Sequence, residues 1–231
     1  MSSHHESTRA ADDQLVPTPG QTVGPFFGYA LPYAQDGELL APGHPRSIRL
    51  YGTVTDGAGQ TLPDAMIEIW QPDEHGRVPR ETGSLVRDGY TFTGFGRTGV
   101  DDAGRYTFTT VDPGATEPGK APFIAVAVFA RGLMNHLHTR VYLPEDAAAL
   151  AADPLLASLE PDRRETLIGV RESDGALRFD IRLQGEGETV FLAFPHHHDP
   201  DDAASPGQSP HGRAGTGGAG DAGDVGDAGA Q

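Results

Sequence analysis

The strongest pattern in the chain is Ala121–Phe129, APFIAVAVF, a run without charged or strongly hydrogen-bonding side chains. β-Branched and aromatic residues recur in it, and it is short for a helix. It therefore predicts a strand buried on both faces. Arg131-Gly132 ends the run. From His136 to Leu143, His136, His138, Arg140 and Tyr142 alternate with Leu137, Thr139, Val141 and Leu143, which predicts a second strand and a hairpin. Similar patterns predict strands at Ser47–Thr55, within Leu62–Trp70, at Arg105–Thr110, Thr166–Val170, Leu177–Leu183 and Val190–Phe194. Met66, Glu68 and Trp70 should share one face and Ile67 and Ile69 the other. Trp70, the only tryptophan, is expected to anchor the core. Phe95–Thr98 leads into a turn at Asp101–Gly104. Pro144–Leu159 is rich in Ala and Leu, with Asp146 near its start, and predicts a short helix. Residues 28–47 read as loop, and 71–95 as a long polar excursion of the kind usually found at functional sites or interfaces. The sum is an all-β sandwich with long loops and little helix.

Composition narrows the function classes. Gly (31) and Pro (19) are abundant among 231 residues, in keeping with strands between tight turns. A formal charge of −16 argues against nucleic acid or an anionic membrane as partner, since both demand basic patches. No apolar run approaches the roughly 20 residues of a membrane span. With no cysteine there is no disulfide framework and no thiolate chemistry. Residues 1–16 are polar and lack the apolar core of a signal peptide, so a cytoplasmic location is the expectation. Residues 17–194 are expected to form the domain with an N-terminal arm. Residues 195–231 collapse into His, Asp, Ala, Gly and Ser, a composition that predicts a disordered acidic tail. His196–His198 lie in that tail, without the fixed supporting ligands that a metal site requires.

Three stretches could carry chemistry. Thr18–Phe27, TPGQTVGPFF, is too rich in Pro and Gly for a helix or a central strand. It is either a rigid packing arm or a pocket wall, where backbone can approach a ligand at Gly24 beside the Thr22 hydroxyl. Arg131 is either a snorkelling surface residue or a cation aimed into a cavity. His136-x-His138 places two imidazoles on one strand face, a start for a metal site. Arg140 follows on that same face and disfavours a cation, so a polar or interface-facing edge is the preferred alternative. The chain has no G-x-S-x-G elbow, Walker-type loop or dinucleotide fingerprint.

Taken together, TPGQTVGPFF, EIWQPDEHG (68–76), GFGRT (94–98), FARG (129–132), HLHTRVYL (136–143), RRETL (163–167) and RFDIRLQGEGETVF (178–191) resemble the α-type subunits of the intradiol ring-cleavage dioxygenase family. The resemblance implies an intradiol-dioxygenase-type β-sandwich assembled with a β-type partner subunit. It implies cleavage of protocatechuate by O2 between its two hydroxylated carbons, giving 3-carboxy-cis,cis-muconate. In such enzymes the partner β subunit holds Fe(III) through two Tyr and two His. The corresponding positions here are Ser84, Thr116, Phe123 and Ala125. Ser and Thr are poor iron ligands, and Phe and Ala cannot ligate, so this chain is expected to bind no metal itself. The resemblance assigns Thr22, Gly24, Pro25 and Arg131 to the lining of a substrate cavity shared with the partner. Two other readings remain at this point: a β-sandwich binding module without catalytic role, and a self-sufficient metalloenzyme using His136 and His138.

Overall fold

The computed structural model describes residues 22, 24, 27–80 and 87–194. The chain divides into a unit Met1–Leu192 and a unit Ala193–Gln231, and the sandwich lies in the first. Among the described residues its strands are β1 (Ile48–Thr55), β2 (Met66–Trp70), β3 (Phe95–Gly99), β4 (Arg105–Thr110), β5 (Phe123–Phe129), β6 (Leu137–Tyr142), β7 (Val170–Arg171), β8 (Leu177–Arg178) and β9 (Ile181–Arg182). Four short helices accompany them: α1 (Phe27–Ala30), α2 (Ala147–Ala152), α3 (Pro154–Ala157) and α4 (Pro161–Glu165). The first sheet runs β4-β1-β8-β7, with β9 also paired to β1, and the second runs β3-β2-β5-β6.

The core lies between the two sheets. Leu50, Val54, Tyr106, Phe108, Leu177, Phe179 and Ile181 of the first sheet side pack with Ile67, Ile69, Ile124, Val126, Val128 and Val141 of the second. β1 changes partner along its length. Leu50 and Tyr51 pair in parallel with β8, whereas Val54 and Thr55 pair with β9. Phe179 crosses between the two at Gly52, where an added Cβ would lie 1.8 Å from the Phe179 carbonyl oxygen. Only a glycine lets the backbones meet there. The buried Tyr106 hydroxyl donates to the same carbonyl at 2.5 Å. A smaller apolar cluster, Ala121, Tyr142, Ala149, Leu156, Leu167 and Val190, lies under the helical segment. That segment breaks into α2 and α3 at Asp153-Pro154. Asp146 caps α2 and Asp153 caps α3, each accepting two backbone N–H bonds.

Several sequence expectations need correction. β5 is not buried on both faces. Ile124, Val126 and Val128 are buried, while Phe123, Ala125, Ala127 and Phe129 on the other side are half-buried. Alanine is small and apolar enough for either environment, so the run concealed its own alternation. Trp70 shares the outward face with Glu68 and is 51% exposed; it is no core anchor. Phe95–Gly99 is a full strand against β2. Val190–Phe194 forms no strand; the Leu192 N–H instead donates to the His138 carbonyl at 2.8 Å. Residues 28–30 belong to α1 rather than to a loop.

Burial pushes the Tyr106 phenol well above the ordinary tyrosine value. The unfolded chain then releases its proton first, near pH 10. Stability contributed by this group is complete below that pH and is lost as pH rises further. Tyr106→Phe should cost about 1–2 kcal/mol at neutral pH through the lost hydrogen bond and lessen the alkaline decline. Thermal unfolding of both proteins across the alkaline range would measure the difference; an equal decline in the variant would exclude Tyr106 as a source.

Candidate functional site

The residues singled out from sequence fall in two places. In the N-terminal arm Thr22 is exposed, and its Oγ1 accepts a 3.3 Å bond from the Gly24 N–H. Gly24 has φ +74 with open space where a Cβ would project, a conformation that favours glycine. Pro25 lies outside the described residues. Arg131 follows β5 at the surface. Its Nε donates to Asp64 Oδ2 at 2.9 Å, and its side chain is 66% exposed. Among the described residues no hydrogen bond or ion pair joins Thr22 or Gly24 to Arg131.

The second place is the outward face of the β3-β2-β5-β6 sheet. Cross-strand register orders it in rows. Phe95, Trp70, Ala125 and Arg140 form one row, and Arg97, Glu68, Ala127 and His138 the next. Phe123 stands opposite Tyr142 at the end covered by α2 and α3. Phe123 and Ala125 are thus neighbours on one face. Thr116 is exposed on the β4–β5 loop, and Ser84 lies outside the described residues. The β4–β5 loop interlocks with the loop after β2: the Gly114 N–H donates to Asp73 O at 2.8 Å, and a Cβ on Gly76 would lie 1.9 Å from Ala115 O. Buried Gln71 fastens the base of the second loop, accepting from the Thr110 hydroxyl at 2.7 Å and donating to Val111 O at 2.9 Å.

Arg140 is held on this face by an aromatic ring and a hydrogen bond. Its guanidinium carbon lies 4.1 Å from the centroid of the Phe123 ring. Nη1 donates to Tyr142 Oη at 3.1 Å, and that hydroxyl donates to Asp153 Oδ1 at 3.2 Å. Asp153 Oδ1 also caps α3 through the Leu155 and Leu156 N–H groups. Burial raises the Tyr142 phenol above its ordinary value, with Arg140 opposing the rise, so Tyr142 remains a donor at neutral pH. The sequence pattern shows that Arg140 shares a face with the two histidines. It does not show the stacking on Phe123, because cross-strand register is set by the intervening connection. His136 stacks on Phe129 with centroids 5.0 Å apart, and His138 meets His136 edge-on at 4.4 Å. Among the described residues no group of three or more His, Cys, Asp or Glu side chains is placed to hold a metal.

An open cleft of about 550 Å³ lies along the loop after β2, lined by Arg46, Asp73, Glu74, Arg77 and Phe92 among others. Its Arg46 and Arg77 are paired with Glu74 and Asp73. Elsewhere on the outward face Arg97 Nε and Nη2 reach Glu68 Oε1 at 2.7 and 2.5 Å, both side chains being largely buried.

The dioxygenase family model matches residues 22–185, and the chain belongs to that family. It is 41% identical over 194 residues to a protocatechuate 3,4-dioxygenase alpha chain of Burkholderia cepacia, covering 77% of this chain and 98% of that one. It is 43% identical over 208 residues to the alpha chain of Pseudomonas putida, covering 78% and 98%. The B. cepacia beta chain is 31% identical over 196 residues, covering 77% of this chain and 80% of that one.

Intradiol dioxygenases depend on iron. Iron does not fit at Phe123 and Ala125, whose side chains offer no donor atom, and the guanidinium above them is a fixed positive charge.

Glu68→Ala should leave Arg97 largely buried without its carboxylate and destabilise the sheet by about 3 kcal/mol or more. Glu68→Gln, which retains an acceptor, should cost less. Guanidinium-induced unfolding would compare the two; equal midpoints for Glu68→Ala and the parent would exclude the pair as a structural brace.

Proposed function

We propose that this chain is the alpha-type, iron-free subunit of a heteromeric protocatechuate 3,4-dioxygenase. Its partner is the beta subunit, which holds the Fe(III), and its substrates are protocatechuate and O2. One observation carries this conclusion: a chain alike over most of its length to alpha chains has Phe123 and Ala125 where the resemblance puts two histidine ligands. Thr22, Gly24 and Pro25 are then assigned to the lining of a cavity completed by the partner. Gly24 lets backbone come close to a flat ring, and the Thr22 hydroxyl supplies a polar contact. Arg131 supplies positive charge toward an anionic aromatic acid, acting on binding and orientation and not on the redox chemistry. Its exposure supports this assignment of Arg131: the side chain is two-thirds exposed, with its Nε on Asp64, so it is available at the surface. The domain is assigned to residues 17–194 and the tail to 195–231.

The self-sufficient metalloenzyme is less well supported. His136 and His138 lie together, but no third ligand accompanies them among the described residues, and Arg140 is the next outward residue on β6. A binding module without catalysis has no evident use for the arm and the Phe129–Gly132 motif together.

Iron content and visible absorption should be measured on the chain alone and after co-expression with a beta-type partner. The chain alone is expected to be colourless and iron-free, and the complex to be coloured and active. Stoichiometric iron on the isolated, folded chain, outside the His-rich tail, would overturn the assignment. In the complex, Arg131→Ala should raise KM by roughly tenfold, the scale of a charge-assisted contact, with iron content unchanged. Because Arg131 is so exposed, the substitution should barely alter stability. Loss of iron in this variant would contradict its placement on substrate.

A further inference from the structure

We infer that the guanidinium of Arg140 has taken the place of a metal ion on the outward face of the second sheet and closes that position to metal. The inference rests on the proposal that Phe123 and Ala125 occupy ligand positions. It goes beyond the loss of ligands, because a site can lose donors and still lie open as a vacant pocket. Here a cation stands over the same two residues. Arg140 is the cross-strand partner of Ala125, and its guanidinium carbon lies 4.1 Å from the Phe123 ring centroid.

Each substitution at these positions suits the arginine. A planar guanidinium stacks on an aromatic face, so Phe123 holds it. The small Ala125 leaves room beside its cross-strand neighbour. Tyr142 accepts from Nη1 and passes the bond on to Asp153, which fixes the start of α3. The cation is therefore tied to the helices over that end of the sheet as well as to the strand beneath it. Among the described residues, Glu68, Arg97 and His138 lie one row away on the outward face, and His136 lies beyond His138. Glu68 is engaged by Arg97 at 2.5 Å, so that carboxylate does not neutralise Arg140. A multivalent cation entering above Phe123 and Ala125 would meet a fixed like charge and would have to displace the stacked guanidinium.

Restoring donors alone should then fail to restore metal binding. The test uses the full-length chain and Cu2+, which a pair of imidazoles two residues apart on a strand can chelate. Parent, F123H/A125H, F123H/A125H/R140Q and F123H/A125H/R140K are compared by titration calorimetry. The parent's own histidines set the background, and circular dichroism with thermal melting checks each fold first. F123H/A125H should titrate like the parent. The Arg140→Gln triple variant should gain one further site, about tenfold tighter or more than anything gained by the double variant, as removal of a nearby like charge requires. The Arg140→Lys triple variant should remain like the double variant, because the charge persists.

An added site already present at full strength in F123H/A125H would overturn the inference while leaving the ligand positions intact. No added site in any variant would overturn it together with the assignment of those positions. If the triple variant does not fold, A125H with and without R140Q retains the Phe123 packing. The same difference between those two supports the inference, and its absence overturns it.

Discussion

Strand β5 is paired on both sides, to β2 and to β6, and its register settles what the rest of the second sheet can be. Side chains alternate across a strand, so one shift of pairing would exchange every inward residue for an outward one. Ile124, Val126 and Val128 point into the sandwich and are held there by the opposing sheet. With them in place, Phe123 and Ala125 must face outward beside Trp70 and Arg140. The packing of the core thus fixes which residues of β5 make up the outward face. Residues on the outer side of β5 can be exchanged without disturbing the inner side.

The strands were mostly legible because their alternation is strong. β1, β2, β4, β5 and β6 lie where the pattern of Leu, Ile, Val and Tyr places them, and the short helix at Asp146 announced itself through its cap. What was not legible depended on partners far away in sequence. Nothing in APFIAVAVF distinguishes a strand covered on both sides from one covered on one, since that is decided by which layers lie above it. Trp70 was misplaced because burial was inferred from residue type, while its alternation with Ile67 and Ile69 already pointed outward. The loops after β2 and β4 are long, and their mutual grip at Gly76 and Gly114 depends on tertiary approach.

The candidate site was legible in another sense. Thr22, Gly24, Pro25 and Arg131 stood out only through the resemblance; local pattern left the arm and the arginine with two readings each. The structure adds the Asp64 partner of Arg131 and the turn at Gly24. It also turns attention to Arg140, which sequence alone offered as little more than a cation near two histidines. Its stacking on Phe123 and its link through Tyr142 to Asp153 are products of the β5–β6 register and of the helices folded over the sheet edge.

The exchange of partners along β1 has a consequence for the order of assembly. One edge of β1 is covered by β4 at Arg105–Thr110, but the other edge is completed only by Leu177–Arg178 and Ile181–Arg182. A chain emerging from the ribosome has made the whole second sheet before it has made the strands that close the first. Long-range pairing of this kind is slow. Until those last strands arrive, β1 presents an open edge of unpaired backbone groups, the sort of surface on which nascent β-proteins aggregate. The window ends when Phe179 crosses at Gly52 and Tyr106 takes its carbonyl, so the final strands of the domain act as the fastener of the first.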